Sequence, residues 1–158
     1  MPLPTTHMPA PGFTLLDHTG TEVRLLDYKG KKNVLVYFYP KAMTPGCTVQ
    51  AQGLRDIADQ LAVHDVVVFG ISPDPVKRLA KFVERDSLNF QLLSDEDHAV
   101  ADAYGAWGPK KFMGREFDGI LRTSYLVDKE GNLRKILNKF KTKDHHEVVL
   151  STILELGL

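Results

Sequence analysis

Two short apolar runs, Val34–Tyr39 and Val66–Ile71, limit what this sequence can fold into more than any other feature. Both are rich in branched and aromatic residues, and neither approaches the roughly 20 apolar residues of a membrane-spanning helix. Unbroken apolarity over so short a span is the mark of a strand buried on both faces. Between the runs the period changes. Ala51, Leu54, Ala58 and Leu61 step by three, four and three, with Ile57 alongside, which describes an amphipathic helix beginning near Cys47. After the second run, closed by Ser72-Pro73-Asp74-Pro75, Val76, Leu79, Ala80 and Val83 form a second helical stripe. Buried strands alternating with helices specify an α/β architecture, because parallel neighbours need helical crossovers.

The flanks complete the pattern. Phe13–Asp17 and Glu22–Leu26 around Thr19-Gly20 predict an N-terminal β-hairpin, entered through an extended lead-in carrying Pro2, Pro4, Pro9 and Pro11. Phe90–Leu93 reads as a short strand. Ser94 and Asp97 have capping-box spacing for the helix that follows, and Asp95-Glu96-Asp97 reads as its solvated, dipole-complementing start. Leu121–Val127 and Leu133–Leu137 read as an antiparallel pair joined by Asp128–Asn132, and Asp144–Leu156 as a final helix. Trp107 and Phe112, among Gly105 and Gly108, read as a packed loop. The expectation is one domain over residues 1–158, a three-layer α/β sandwich around a mixed central sheet with an N-terminal hairpin extension.

Charge narrows the function. Twenty basic and twenty acidic residues cancel, which argues against binding nucleic acid and gives no support for docking on an anionic membrane. Residues 1–7 have neither the charged nor the apolar region of a secretory signal, so a cytoplasmic protein is expected. The chain holds one cysteine, Cys47. A single thiol excludes an internal disulfide, a multi-thiolate zinc site and an internal dithiol redox cycle. Either an inert buried cysteine or a reactive one remains.

Topology favours the reactive one, since sites in α/β sheets lie beyond the carboxyl ends of strands. Cys47 follows the strand 34–39 and opens the next helix. Thr44-Pro45 supplies an N-cap and a proline at the first helical position, so Cys47 falls in the first turn, where free N–H groups favour a thiolate. Each tenfold gain in the anion takes about 1.4 kcal/mol. A helix terminus contributes about 0.3–1 kcal/mol, or ~2 when partly buried, so strong activation needs a further donor or cation. The Thr44 hydroxyl lies within reach, and a guanidinium from elsewhere would supply the larger share.

These residues resemble a known family. Pro40-x-x-x-Thr44-x-x-Cys47 matches the active-site motif of the peroxiredoxins, thiol peroxidases on a thioredoxin-like fold. The run Val36–Thr48 is similar to the bacterioferritin comigratory protein branch, also called peroxiredoxin Q. The likeness continues through Leu93–His98, Phe112–Gly114, Asp118–Ile120 and Phe140–Thr142. It implies Cys47 as the nucleophile, Thr44 as the hydroxyl that orients the peroxide, Pro40 as a shield against water, and Arg122 as the distant cation. The N–H groups of Gly46 and Cys47 would hold peroxide oxygens, and Gln50 would support the arginine. The substrate would be hydrogen peroxide or an alkyl hydroperoxide, the product a sulfenic acid, with no cofactor or metal required. The branch also implies a monomer.

One departure matters. Members of this branch often carry a resolving cysteine five positions after the nucleophile, and here that position is Gln52. The sulfenic acid must therefore be reduced by an external thiol, small or protein-borne, such as thioredoxin or glutaredoxin with glutathione. A dithiol reductase would need C-x-x-C, where this chain has Thr44-x-x-Cys47. A non-catalytic thiol sensor or chaperone on the same fold is the rival reading. His145-His146 points to two helix faces and lacks a third ligand nearby, so no metal site is expected there, and Lys110-Lys111 reads as solvated.

Overall fold

The computed structural model describes residues 4–158, with Phe112 described by its backbone alone. Pro2 of the opening and the side chain of Phe112 therefore lie outside the described residues. Nine strands and five α-helices follow in chain order: β1 Thr14–Asp17, β2 Glu22–Arg24, β3 Asn33–Phe38, α1 Pro45–Asp56, α2 Ala58–Val63, β4 Val66–Ser72, α3 Val76–Asp86, β5 Gln91–Ser94, α4 Ala99–Tyr104, β6 Trp107–Phe112, β7 Arg115–Ile120, β8 Ser124–Val127, β9 Leu133–Leu137 and α5 His145–Leu156. Seven strands form one sheet in the order β2-β1-β5-β4-β3-β8-β9. Pairs β3/β4 and β4/β5 are parallel and the others antiparallel, so the sheet is mixed. This is the expected three-layer thioredoxin-like arrangement.

All six residues of β3 are buried: Val34–Phe38 as their unbroken apolarity requires, and Asn33 with its side-chain amide donating to the His64 carbonyl at 2.9 Å. Leu35 and Tyr37 join Leu54, Leu61, Leu79, Phe82, Val149 and Ile153 in one core, so α1, α2, α3 and α5 cover that face. Val34, Val36 and Phe38 join Phe13, Ala101, Tyr104, Tyr125 and Leu133 in the core on the other face. Gly70 in β4 allows close packing across the sheet face. A Cβ there would lie 2.9 Å from Leu92 Cδ2 and 2.9 Å from the Tyr37 ring. The lead-in is not extended throughout: it turns over residues 5–8, where Met8 N–H donates to the Thr5 carbonyl at 3.3 Å and His7 has φ of 69°. It pairs beside β9 through His7 N–H to the Leu133 carbonyl (2.7 Å) and Leu133 N–H to the Met8 carbonyl (2.8 Å).

Several local expectations are corrected. The helix predicted from Cys47 through Leu61 breaks at Ile57 into α1 and α2, although Leu54, Ile57 and Leu61 all stay in one core. Ser94 does not cap α4, because it ends β5 and its hydroxyl donates to the Asp74 carbonyl at 2.6 Å. The N-cap position is His98, and the free N–H groups of the first turn are met from outside the helix by the Asp95 carboxylate, which accepts from Val100 (3.2 Å) and Ala101 (2.9 Å). Asp95 is thus buried rather than solvated, and burial raises its carboxyl above the usual range. Leu25 and Leu26 leave the hairpin for a 3₁₀ turn, Leu25–Tyr28. The segment Leu121–Thr123 precedes β8 rather than belonging to it.

The supposed loop around Trp107 is the hairpin β6–β7, paired from Trp107↔Ile120 to Phe112↔Arg115. Its turn, Met113-Gly114, has φ of 52° and 79°, the doubly positive pattern of a tight hairpin turn. Arg115 to Asp118 are exposed, which removed the apolar alternation that reveals a strand. Trp107 itself is packed, stacked on His98 at 3.7 Å between ring centroids.

Candidate active site

Strand β3 ends against the first turn of α1, and the loop Tyr39–Thr44 between them carries Pro40 and Thr44. Thr44 has the extended backbone of an N-cap, and its carbonyl accepts the first helical bond, from Thr48 N–H at 2.9 Å. The N–H groups of Gly46 and Cys47 come before that ladder and have no acceptor within the helix. Cys47 is a free thiol and is 1% exposed. Pro40, Thr44 and Gly46 are each partly buried around it.

Arg122 reaches this turn from the segment joining β7 to β8. That segment is fixed by Leu121 N–H donating to the Ala106 carbonyl (2.7 Å) and Phe38 N–H donating to the Thr123 carbonyl (2.9 Å). Nη2 of Arg122 donates to Cys47 Sγ at 3.4 Å, and Nη1 donates to Gln50 Oε1 at 2.5 Å. Gln50 is one turn below Cys47 and 1% exposed, so the amide oxygen aligns the guanidinium from inside the protein. Cys47, Arg122 and Gln50 are therefore brought together as the sequence predicts. Gly46 lies against the same group: a Cβ there would sit 3.7 Å from Arg122 Nη2 and 3.6 Å from Thr142 Cγ2.

Thr44 differs from its expectation as a donor. Its hydroxyl donates to the Lys41 carbonyl at 2.7 Å, so the oxygen is left as an acceptor. Gln52 faces away from Cys47, and Nε2 donates to Asp86 Oδ1 at 3.0 Å at the end of α3. Arg85, which pairs with Asp86 at 2.8 Å, also donates to Thr48 Oγ1 at 2.8 Å, so the start of α1 is tied to α3.

Some residues of the site gave no clear signal in the sequence. Lys111 is exposed and pairs with Glu116, as a solvated lysine does. Lys110 is instead half-buried against Gly119, and burial followed by the nearby Arg122 charge lowers its ammonium below the ordinary value. His145 is fully buried, with Nε2 2.6 Å from Ser124 Oγ and its ring against Phe140 and Tyr37. Burial pushes its pKa down to about 3, with the Arg122 charge adding to the effect, so this imidazole is neutral. Burial likewise pushes the Tyr37 and Tyr39 hydroxyls up, and both remain protonated.

The sequence model of the AhpC/TSA family matches residues 6–136. The chain is 53% identical over 146 residues to peroxiredoxin Bcp of Escherichia coli K12, an alignment covering 92% of this chain and 93% of that one. It is 46% identical over 148 residues to peroxiredoxin Bcp of Bacillus subtilis 168, covering 94% of each. Among solved structures it is similar to the bacterioferritin comigratory protein of Xanthomonas campestris, described with alkyl peroxide reduction activity, at TM-score 0.89 and 26% identity over 98% of this chain and 100% of that one. BcpB of Mycobacterium tuberculosis gives TM-score 0.85 and 32% identity, covering 97% of this chain and 98% of that one. No helix among the described residues is long and apolar enough to cross a membrane. Family match, fold and the Cys47–Arg122 pair converge: the chain belongs to the AhpC/TSA family, as a Bcp-type peroxiredoxin with one cysteine, a thiol-dependent antioxidant peroxidase.

Proposed function

We propose that this chain reduces hydrogen peroxide and alkyl hydroperoxides through Cys47, with Pro40, Thr44, Gly46, Gln50 and Arg122 forming the site, and depends on a separate thiol to complete each cycle. The observation that carries this reading is the 3.4 Å contact from Arg122 Nη2 to Cys47 Sγ at a helix N-terminus. A guanidinium stays charged and holds its fork rigidly, so it presents a fixed positive donor to the sulfur and to the oxygen it attacks. Thr44 Oγ1, with its hydrogen committed to Lys41, accepts the peroxide O–H and orients the O–O bond along the line of attack. The sulfur electron pair bonds to the terminal oxygen. The O–O bond breaks with its electrons on the departing alkoxide or hydroxide, which takes up a proton. Arg122 and the N–H groups of Gly46 and Cys47 stabilise the charge as it moves to that oxygen. Pro40 limits water around the sulfur.

The product is Cys47 sulfenic acid. With Gln52 where a resolving thiol could stand and no other cysteine in the chain, the sulfenic acid cannot be resolved within the molecule. An external thiol attacks the sulfur, releases water and leaves a mixed disulfide, and a second thiol frees Cys47 and departs as the oxidised pair. The reducing cytoplasm supplies such thiols, through thioredoxin or glutaredoxin with glutathione, and the chain acts as a monomer.

Intact-mass analysis after one equivalent of peroxide tests the cycle. The expected result is addition of one oxygen atom to the monomer, reversed by thioredoxin or glutaredoxin. Peroxide consumption that continues without any added thiol would refute the external step. A thiol that reacts no faster than free cysteine would leave a sensor or chaperone in place of an enzyme.

A further inference from the structure

Thr44 and Pro40 are carried by a loop whose tightest point is Met43, with φ of +66°. A side-chain-bearing residue in the left-handed region is strained and persists only where the surroundings enforce it. The enforcement falls on the residue before it. Ala42 is fully buried, and both of its backbone polar groups are held, one by Asp74 in the connection before α3 and one by Arg78 in its first turn. Its N–H donates to Asp74 Oδ2 at 2.7 Å, and Arg78 Nη2 donates to its carbonyl at 2.9 Å. Arg78 Nε lies 3.2 Å from Asp74 Oδ1, while Ser72 Oγ donates to Asp74 Oδ2 at 2.8 Å and Ser94 Oγ to the Asp74 carbonyl. The Lys41 carbonyl, the acceptor that holds the Thr44 hydroxyl hydrogen, belongs to the same peptide as the Ala42 N–H.

We infer that Asp74 and Arg78 are positioning residues for peroxide reduction. By gripping both backbone groups of Ala42 they fix the Lys41 carbonyl on one side and the Met43 backbone on the other, and so aim the Thr44 oxygen. Neither belongs to the set of residues around Cys47. A buried carboxylate and its guanidinium are committed here to the two peptides that flank one loop residue, when simple packing would need no charge at that place. The inference rests on the reading of Thr44 as the residue that orients the peroxide. A displacement of about 1 Å in such a group can cost up to a hundredfold in rate.

The test separates aiming from activation of the thiol. For Arg78→Gln and Asp74→Asn, the second-order rate with hydrogen peroxide is compared with the rate of Cys47 alkylation by iodoacetamide at the same pH. Alkylation draws on Arg122 and the helix terminus but has no use for Thr44. The expected result is a peroxide rate at least tenfold below that of the unmodified chain, with alkylation unchanged within about twofold. A peroxide rate that is unchanged, or that falls in parallel with alkylation, overturns the inference. Arg78 is about one-third exposed, so Arg78→Gln keeps the test open if the buried Asp74→Asn fails to fold. An unmodified chain that reacts with peroxide no faster than a free thiol would instead overturn the role of Thr44 itself.

Discussion

Removing the guanidinium of Arg122 is the perturbation whose size follows most directly from the site. Nη2 is 3.4 Å from a sulfur that is almost wholly buried. Two unit charges about 4 Å apart attract by ~4 kcal/mol at an effective dielectric near 20. Arg122 is only partly buried, and water entering the vacated space recovers part of that, leaving about 2–3 kcal/mol in the attack step. At about 1.4 kcal/mol per factor of ten, Arg122→Ala slows the reaction with hydrogen peroxide roughly 30- to 150-fold. Rapid-quench measurement of remaining thiol gives the rate constant directly. Gln50 acts only by aligning Nη1, so Gln50→Ala costs less, about five- to twentyfold, and costs nothing further once Arg122 is alanine. An Arg122→Ala rate within threefold of the original would refute this account of the site. A Gln50→Ala loss that persists undiminished without Arg122 would refute the alignment role.

Three further outcomes follow from the same geometry. Peroxide-treated protein, digested and mapped, should carry its oxidation at Cys47, and any disulfide should join two chains or a chain and an added thiol. His145 is neutral when folded and has a pKa near 3, against an ordinary 6.5, so below pH 6.5 the unfolded chain binds the extra proton. Its contribution is complete above pH 6.5 and about 2–3 kcal/mol is lost on going down to pH 4.5; denaturant titrations of His145→Gln should show a correspondingly flatter acid limb, and an unchanged limb would contradict the burial argument. Gly70→Ala places a Cβ 2.9 Å from Leu92 and Tyr37, an overpacking cost of about 1–3 kcal/mol, read as a clear fall in Tm; an unchanged Tm would show that the sheet yields there.

The fold was legible wherever burial left a pattern. Strands β3 and β4 announced themselves because both faces are covered, and α1 and α3 because one face is. The β6–β7 hairpin was not legible, since its outer strand is exposed and only Met113-Gly114 hints at the turn. Ser94 and Asp95 were confused because both are capping types at neighbouring positions, and only the depth of β5 decides which carboxyl or hydroxyl faces α4. At the site, Cys47, Thr44 and Pro40 were legible as a contiguous motif. Arg122, distant in sequence, became legible through resemblance together with the need for a cation. The direction of the Thr44 hydrogen bond and the grip of Asp74 and Arg78 on Ala42 depend on one loop's path, which no periodicity records.

The central claim is that Cys47 is a catalytic nucleophile and not an inert or merely sensing thiol. Stopped-flow reaction of the reduced chain with hydrogen peroxide at neutral pH tests it most directly. Single-phase loss of the Cys47 thiol is expected, at a rate orders of magnitude above that of free cysteine and absent in Cys47→Ser. A rate equal to that of free cysteine would contradict it.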